Sequence, residues 1–162
     1  MNTLFTPLKM GASELANRAF MAPLTRVRAD ADHVPTDMMV EYYAQRASAG
    51  LIITEATMAI EGNSAFYSEA QVEGWKKVTD AVHAKGGKIY LQIFHGGRAC
   101  HPVLNNGKDP VAPSAIAITS DEVHTPEGKK SYTVPRALAD SEIPTIIDGF
   151  RTAAENAKRA GF

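Results

Sequence analysis

The strongest constraint on this chain is an alternation of short apolar runs with segments of helical period. Lys88 to Phe94 is the clearest run, with Ile89, Leu91 and Ile93 alternating against Tyr90, Gln92 and Phe94. Both of its faces are mostly apolar, as expected of a parallel strand covered by helices. Leu51-Ile52-Ile53 opens an earlier run that continues into Thr54-Glu55-Ala56-Thr57. Arg18 to Leu24 forms the first, ended by Pro23, whose missing N–H suits a strand end. Between these runs lie two amphipathic stretches. One is predicted from Asp37 to about Ser48, with Thr36 as N-cap, Asp37 at the positive end of the dipole and Gly50 as stop. The other follows Ser68-Glu69-Ala70-Gln71, which has capping-box spacing, and carries Val72, Trp75, Val78 and Val82 on one face. Lys85-Gly86-Gly87 ends it.

Strands that alternate with helices predict a parallel sheet with right-handed crossovers. Periodicity leaves a closed barrel and an open doubly wound sheet equally available. It does argue against a dinucleotide site of the Rossmann kind, because no Gly-x-Gly-x-x-Gly follows the first strand, and no Walker-type phosphate loop is present. Before the first strand, Leu4 to Leu15 is turn-rich and predicts a small hairpin. After the last, His95 to Asp140 holds Pro102, Pro110, Pro113, Pro126 and Pro135, and has room only for short strands. A final helix is predicted from near Ser141, with Pro144 in its first turn. Ile143, Ile146, Ile147, Phe150, Ala154 and Ala157 form its apolar face, and Gly161 ends it.

A length of 162 residues, 44% of them hydrophobic, suffices for one domain with a core. The net charge of −1 and the absence of a basic stripe argue against nucleic-acid binding. Cys100 is the single cysteine, which excludes an internal disulfide and fits a reducing compartment. Met1 to Leu8 lacks the pattern of a secretory signal, and no apolar run has the length of a membrane span. The expected location is the cytoplasm.

In a barrel of parallel strands, chemistry sits where the strands end. Thr25, just past Pro23 and Leu24, offers a hydroxyl that fixes the edge of a planar heterocycle or caps a loop. Gln92 offers a carbonyl and an amide together, suited to an imide-like ring edge or to a neighbouring strand. His95 and His101 flank Arg98, but no cysteine or carboxylate nearby completes a metal set; His95 is expected to hydrogen-bond and His101 to pack in the loop. Asp30, Asp32 and His33 read as a solvated turn, Cys100 as an inert thiol and Glu55 as a carboxylate that caps backbone. No Gly-x-Ser-x-Gly elbow or placed pair of carboxylates is present.

Taken in order, several segments resemble the old yellow enzyme family of flavin-dependent ene-reductases. They are Leu4-Phe5-Thr6-Pro7-Leu8 with Asn17-Arg18, Met21 to Arg26, Tyr42-Tyr43-x-Gln45-Arg46-Ala47, and Gly50 to Thr57. Trp75 to His83, Leu91 to Arg98, Pro110 to Ser114 and Ala157 to Phe162 continue the match. The resemblance implies an α/β fold, a (β/α)8 TIM barrel, of which residues 1–162 would supply about three βα units: the N-terminal half of a single flavin-binding domain. It implies FMN as cofactor, NAD(P)H as reductant and an enone-type substrate. Pro23, Leu24, Thr25, Ala56 and Gln92 would contact the flavin, with Thr25 tuning its potential, and Phe94 would wall the substrate pocket. Thr25 stands where a subgroup has cysteine. The loop between Thr57 and Ser68 is short for the family, so no specificity is drawn from Phe66 or Tyr67. The family's substrate-gripping pair, tyrosine proton donor and phosphate-binding residues have no counterpart in the sequence. Three strands of a barrel leave open edges, so the missing half or a second copy is expected to complete them. A non-catalytic assembly module and another FMN-binding barrel are the alternatives.

Overall fold

The computed structural model describes residues 3–59 and 68–162. Phe66 and Tyr67, and with them most of the short loop noted above, lie outside that description. The expected hairpin is present as β1 (Leu8–Met10) and β2 (Ser13–Leu15), antiparallel with Leu8 opposite Leu15. Gly11 turns it at a φ of +57°, in the left-handed region that glycine enters without steric cost. The Ser13 and Tyr90 hydroxyls share a 2.8 Å hydrogen bond, which sets the hairpin against the start of the third sheet strand.

That sheet consists of β3 (Phe20–Met21), β4 (Leu51–Met58) and β5 (Ile89–Phe94), all parallel and in sequence order. The first strand is shorter than the predicted Arg18 to Leu24. Only Phe20 and Met21 pair with β4, and the chain has left the ladder by Pro23.

Three helices accompany the sheet: α1 (Asp37–Ala44), α2 (Glu69–His83) and α3 (Ile143–Arg159). The Ser68 hydroxyl and the Gln71 side chain cap α2 reciprocally, as its sequence predicts. Thr36 does occupy the N-cap position of α1, but its hydroxyl donates to the Arg28 carbonyl at 2.8 Å and does not cap. Regular α-helix ends at Ala44 and not near Ser48. The chain tightens there through Arg46 N–H to Tyr43 and Ala47 N–H to Ala44, which spares Gly50 for a close approach. A Cβ on Gly50 would lie 2.0 Å from the Asn17 carbonyl oxygen, so this position excludes any side chain.

All three helices pack on one face of the sheet. Met39 and Tyr43 of α1, Val72, Trp75, Val78 and Val82 of α2, and Ala153 and Ala157 of α3 form a single buried cluster with Ile52 and Ile89. This arrangement decides between the two architectures that periodicity allows. A doubly wound sheet reverses its strand order and carries helices on both faces. Sequential strands with helices on one face make a sector of a barrel.

The Arg159 guanidinium grips both carboxylate oxygens of Glu69, at 2.5 and 2.6 Å, and the Phe162 ring packs edge-on to Trp75 with centroids 5.6 Å apart. The apolar stripe predicted for α3 is only partly buried. Of its residues Ala157 is covered, whereas Ala154 is exposed and Ile143 and Ile147 are 43% and 54% exposed; Ala153, outside the predicted stripe, is buried instead. Helical period marks the face that seeks cover but not how much of its length the sheet reaches. Between β5 and α3 the proline-rich stretch holds a short parallel pair, β6 (Val111–Ala112) with β9 (Arg136–Ala137), around a hairpin of β7 (Glu122–Thr125) and β8 (Gly128–Ser131).

Candidate functional site

The site residues predicted from sequence gather where β3, β4 and β5 end. Along β4 and β5, Ile53 lies opposite Tyr90, Ala56 opposite Gln92 and Met58 opposite Phe94. From the first pair to the second, β4 advances by one residue more than β5. A bulge at Thr54 and Glu55 absorbs the difference. Strict alternation from Ile53 would turn Glu55 toward the same face as Tyr90 and Gln92. The bulge presents Ala56 there instead.

Both bulge residues are buried, and each has specific partners. The Thr54 hydroxyl accepts the Gln92 N–H at 3.1 Å and donates to the Glu55 carbonyl at 3.0 Å. The Glu55 carboxylate accepts the Arg26 N–H at 3.3 Å on one oxygen and the Tyr43 hydroxyl at 3.0 Å on the other. The Tyr43 oxygen in turn accepts the Glu55 N–H at 2.9 Å. Glu55 is therefore a carboxylate that caps backbone, as its place in the sequence predicts. Burial, reinforced by the neighbouring Glu55 charge, pushes the Tyr43 phenol far above its ordinary range and keeps it a proton donor.

The ring-edge candidates differ from these residues at their side chains. Among the described residues, neither the Thr25 hydroxyl nor the Gln92 carboxamide makes a side-chain hydrogen bond, so Thr25 caps no loop and Gln92 is not a satisfied core amide. Thr25 is exposed and Gln92 half-buried. Pro23, Ala56 and Phe94 are also half-buried, and Leu24 is 56% exposed. Two residues beyond Thr25, Val27 has a φ of +52°, a conformation that a β-branched side chain rarely adopts. The Arg28 guanidinium holds this bend by donating to the Arg26 and Val27 carbonyls at 2.9 and 3.1 Å.

A cleft of about 540 Å³ opens beyond the end of β5, lined by Met58, His95, Gly96, Cys100, Pro110 and Arg136 among others. None of Pro23, Leu24, Thr25, Ala56 or Gln92 lines it. His95 turns Nδ1 to the Gly97 N–H at 3.0 Å, and burial lowers its pKa, which favours the neutral ring. The His101 Nδ1 accepts the Val103 N–H at 3.2 Å. Burial also raises the Cys100 pKa, which suits an inert thiol. Asp30 accepts the Asp32 and Val34 N–H groups and forms the expected turn. Among the described residues no group of His, Cys, Asp and Glu is arranged to hold a metal ion.

Residues 3–162 match the sequence model of the NADH:flavin oxidoreductase / NADH oxidase family. The chain belongs to that family. Its relatives are old yellow enzymes. The old yellow enzyme homologue from Zymomonas mobilis superposes with a TM-score of 0.94 at 49% identity, over 99% of this chain and 46% of its own. Morphinone reductase in complex with tetrahydroNAD superposes with a TM-score of 0.92 at 46% identity, over 100% of this chain and 48% of its own. A Leishmania infantum protein named "Probable flavin mononucleotide-dependent alkene reductase" is 47% identical over all of this chain and 47% of its own length. The chain thus spans about half the length of the relatives it matches, and its fold is that of an old yellow enzyme barrel sector.

Sequence reasoning placed the strand-end residues but missed Thr54 and Tyr43 as partners of the site, and missed the bulge. A signal was available. Two consecutive polar residues, Thr54 and Glu55, follow the apolar run Leu51-Ile52-Ile53 within the strand, where regular alternation would place one on each face.

Proposed function

We propose that this chain is one sector of an FMN-dependent oxidoreductase that reduces the activated C=C bond of α,β-unsaturated carbonyl compounds with NAD(P)H. One observation carries the reading: Thr25 beyond β3 and Gln92 on β5 present side-chain hydrogen-bonding groups without partners among the described residues, on either side of the small Ala56. A carboxamide places a donor beside an acceptor, which matches the imide-like edge of a flavin. The Thr25 hydroxyl donates to a carbonyl oxygen of the same ring system and favours negative charge there, which tunes the flavin potential. Ala56 is small enough for a planar ring to lie against the strand, Pro23 and Leu24 border it, and Phe94 walls the substrate pocket. When bound, FMN supplies hydride carriage from NAD(P)H to the β-carbon of the alkene.

Residues 1–162 then form the N-terminal half of a single barrel domain. The edges of β3 and β5 that face away from β4 carry no strand among the described residues, and the inner face exposes Phe20 and Tyr90. These features call for the remaining barrel strands or for a second copy of the chain. The single buried Cys100 supports a reducing, cytoplasmic location.

Two measurements test the reading. The 162-residue chain is purified, its visible spectrum recorded and NADPH oxidation followed with 2-cyclohexenone. A colourless chain that becomes yellow and active when the other barrel half is added is the expected result. A yellow, active chain on its own would show that the other half is dispensable, and a complete barrel without flavin would refute the assignment. In that complete barrel, Gln92→Ala should weaken FMN retention by roughly tenfold, the worth of one lost hydrogen-bonding side chain. Unchanged affinity would remove Gln92 from the ring edge.

A further inference from the structure

We propose that the Thr54–Glu55 bulge of β4 is a positioning device that fixes Thr25 and Gln92 relative to each other. The inference rests on the flavin reading and adds two positioning residues to it. In a regular parallel pair the Gln92 N–H would find a backbone carbonyl of β4. At the bulge the ladder skips a residue, and the Thr54 hydroxyl takes that N–H at 3.1 Å. Because the same hydroxyl donates to the Glu55 carbonyl at 3.0 Å, its acceptor side is held toward Gln92. One residue later, the Glu55 carboxylate reaches the other neighbour and holds the Arg26 N–H, in the peptide that joins Thr25 to Arg26.

Two consecutive residues therefore bind the backbone beside each ring-edge side chain, Thr54 on β5 and Glu55 on the segment that follows β3. The Tyr43 hydroxyl closes the arrangement by donating to the carboxylate and accepting from the Glu55 N–H. Thr54 is fully buried and Glu55 is 7% exposed, so solvent is poorly placed to replace these bonds. The bulge also keeps the Glu55 carboxylate off the face that Gln92 shares with Ala56. A regular strand would lose both effects at once.

The test uses the FMN-loaded complete barrel with Thr54→Val, which keeps the shape and removes the acceptor, and Thr54→Ser, which restores it. The valine variant should speed hydrogen exchange at the Gln92 amide, raise the FMN Kd roughly tenfold and shift the visible flavin band. The serine variant should return all three toward wild type. In Thr54→Val/Gln92→Ala the loss of FMN affinity should not exceed that of Gln92→Ala alone, because the first change acts through the second residue. If Thr54→Val speeds exchange at Gln92 while Kd and spectrum stay unchanged, the positioning role is refuted and the flavin reading survives. If the wild-type complete barrel takes up no FMN, both fall. Should the valine variant fail to fold, Glu55→Gln provides the second arm. It should shift the flavin midpoint potential in the same direction as Thr25→Ala, and an unchanged potential overturns the proposal.

Discussion

On the helix-covered face of the β3–β4–β5 sheet, Ile52 and Ile89 are sealed beneath Trp75, Val78 and Val82, whereas on the other face Phe20 and Tyr90 remain 42% and 40% exposed. The same three strands thus serve two purposes. The outer face holds the apolar burial that stabilises the sector, and the inner face holds side chains without hydrogen-bond partners among the described residues. Polar groups on the outer face, such as Thr79 to the Ala160 carbonyl at 2.5 Å, are satisfied within the protein. Among the described residues, the Thr25 and Gln92 side chains are not. Stability and the proposed ligand recognition are therefore separable by face, with the Tyr43–Glu55 pair joining the two.

The largest effect that tests this separation is Trp75→Ala in the complete barrel. Truncating a buried tryptophan should cost about 3–5 kcal/mol in denaturant unfolding. The remaining folded protein should keep its affinity for flavin. An equal loss of stability from Gln92→Ala would break the division between the faces.

Tyr43→Phe comes next, because the change removes a donor to the Glu55 carboxylate and an acceptor for the Glu55 N–H. A loss of about 1–3 kcal/mol is expected for buried groups left without partners. The same variant carries a pH signature. The Tyr43 pKa in the folded state lies above its unfolded value of about 10, so its contribution is complete below that pH and declines as pH rises beyond it. Wild-type stability should therefore fall on titration above pH 10, and Tyr43→Phe should flatten that slope. Parallel alkaline curves for the two proteins would place the cause elsewhere.

A smaller effect is expected of Thr25→Ala. Spectroelectrochemical titration should show a shifted flavin potential, with unfolding free energy within about 0.5 kcal/mol of wild type, as for an exposed side chain. The smallest is Val27→Gly. Relief of the left-handed conformation, worth about 1–2 kcal/mol, is largely offset by the added freedom of glycine in the unfolded chain. A net gain below about 1 kcal/mol is expected, read as a slight rise in denaturation midpoint. A clear loss of stability would mean that the Val27 side chain, 79% exposed here, is covered in the complete barrel.

Much of the architecture was legible without coordinates. The capping box at Ser68 and Gln71 and the apolar run at Ile89 to Phe94 each act within a few residues, and both local rules held. Thr36 shows where such rules stop. Its type and place fit an N-cap, yet the Arg28 carbonyl, eight residues back, takes its hydroxyl. The partial exposure of α3 has the same origin, since the reach of the sheet beneath a helix is not written in that helix.

The order of elements, the strand ends and the polar residues waiting there were determined by the sequence, because hydrophobic period, capping and chain-breaking residues are local properties. Only the tertiary structure decided that all helices share one face, which turns a generic parallel sheet into a barrel sector. Only it revealed the bulge at Thr54 and Glu55. Register is a contest between neighbouring strands, and one extra residue in β4 has no meaning until β5 lies beside it. That single displaced residue puts Ala56 opposite Gln92 and leaves Glu55 to hold the backbone next to Thr25.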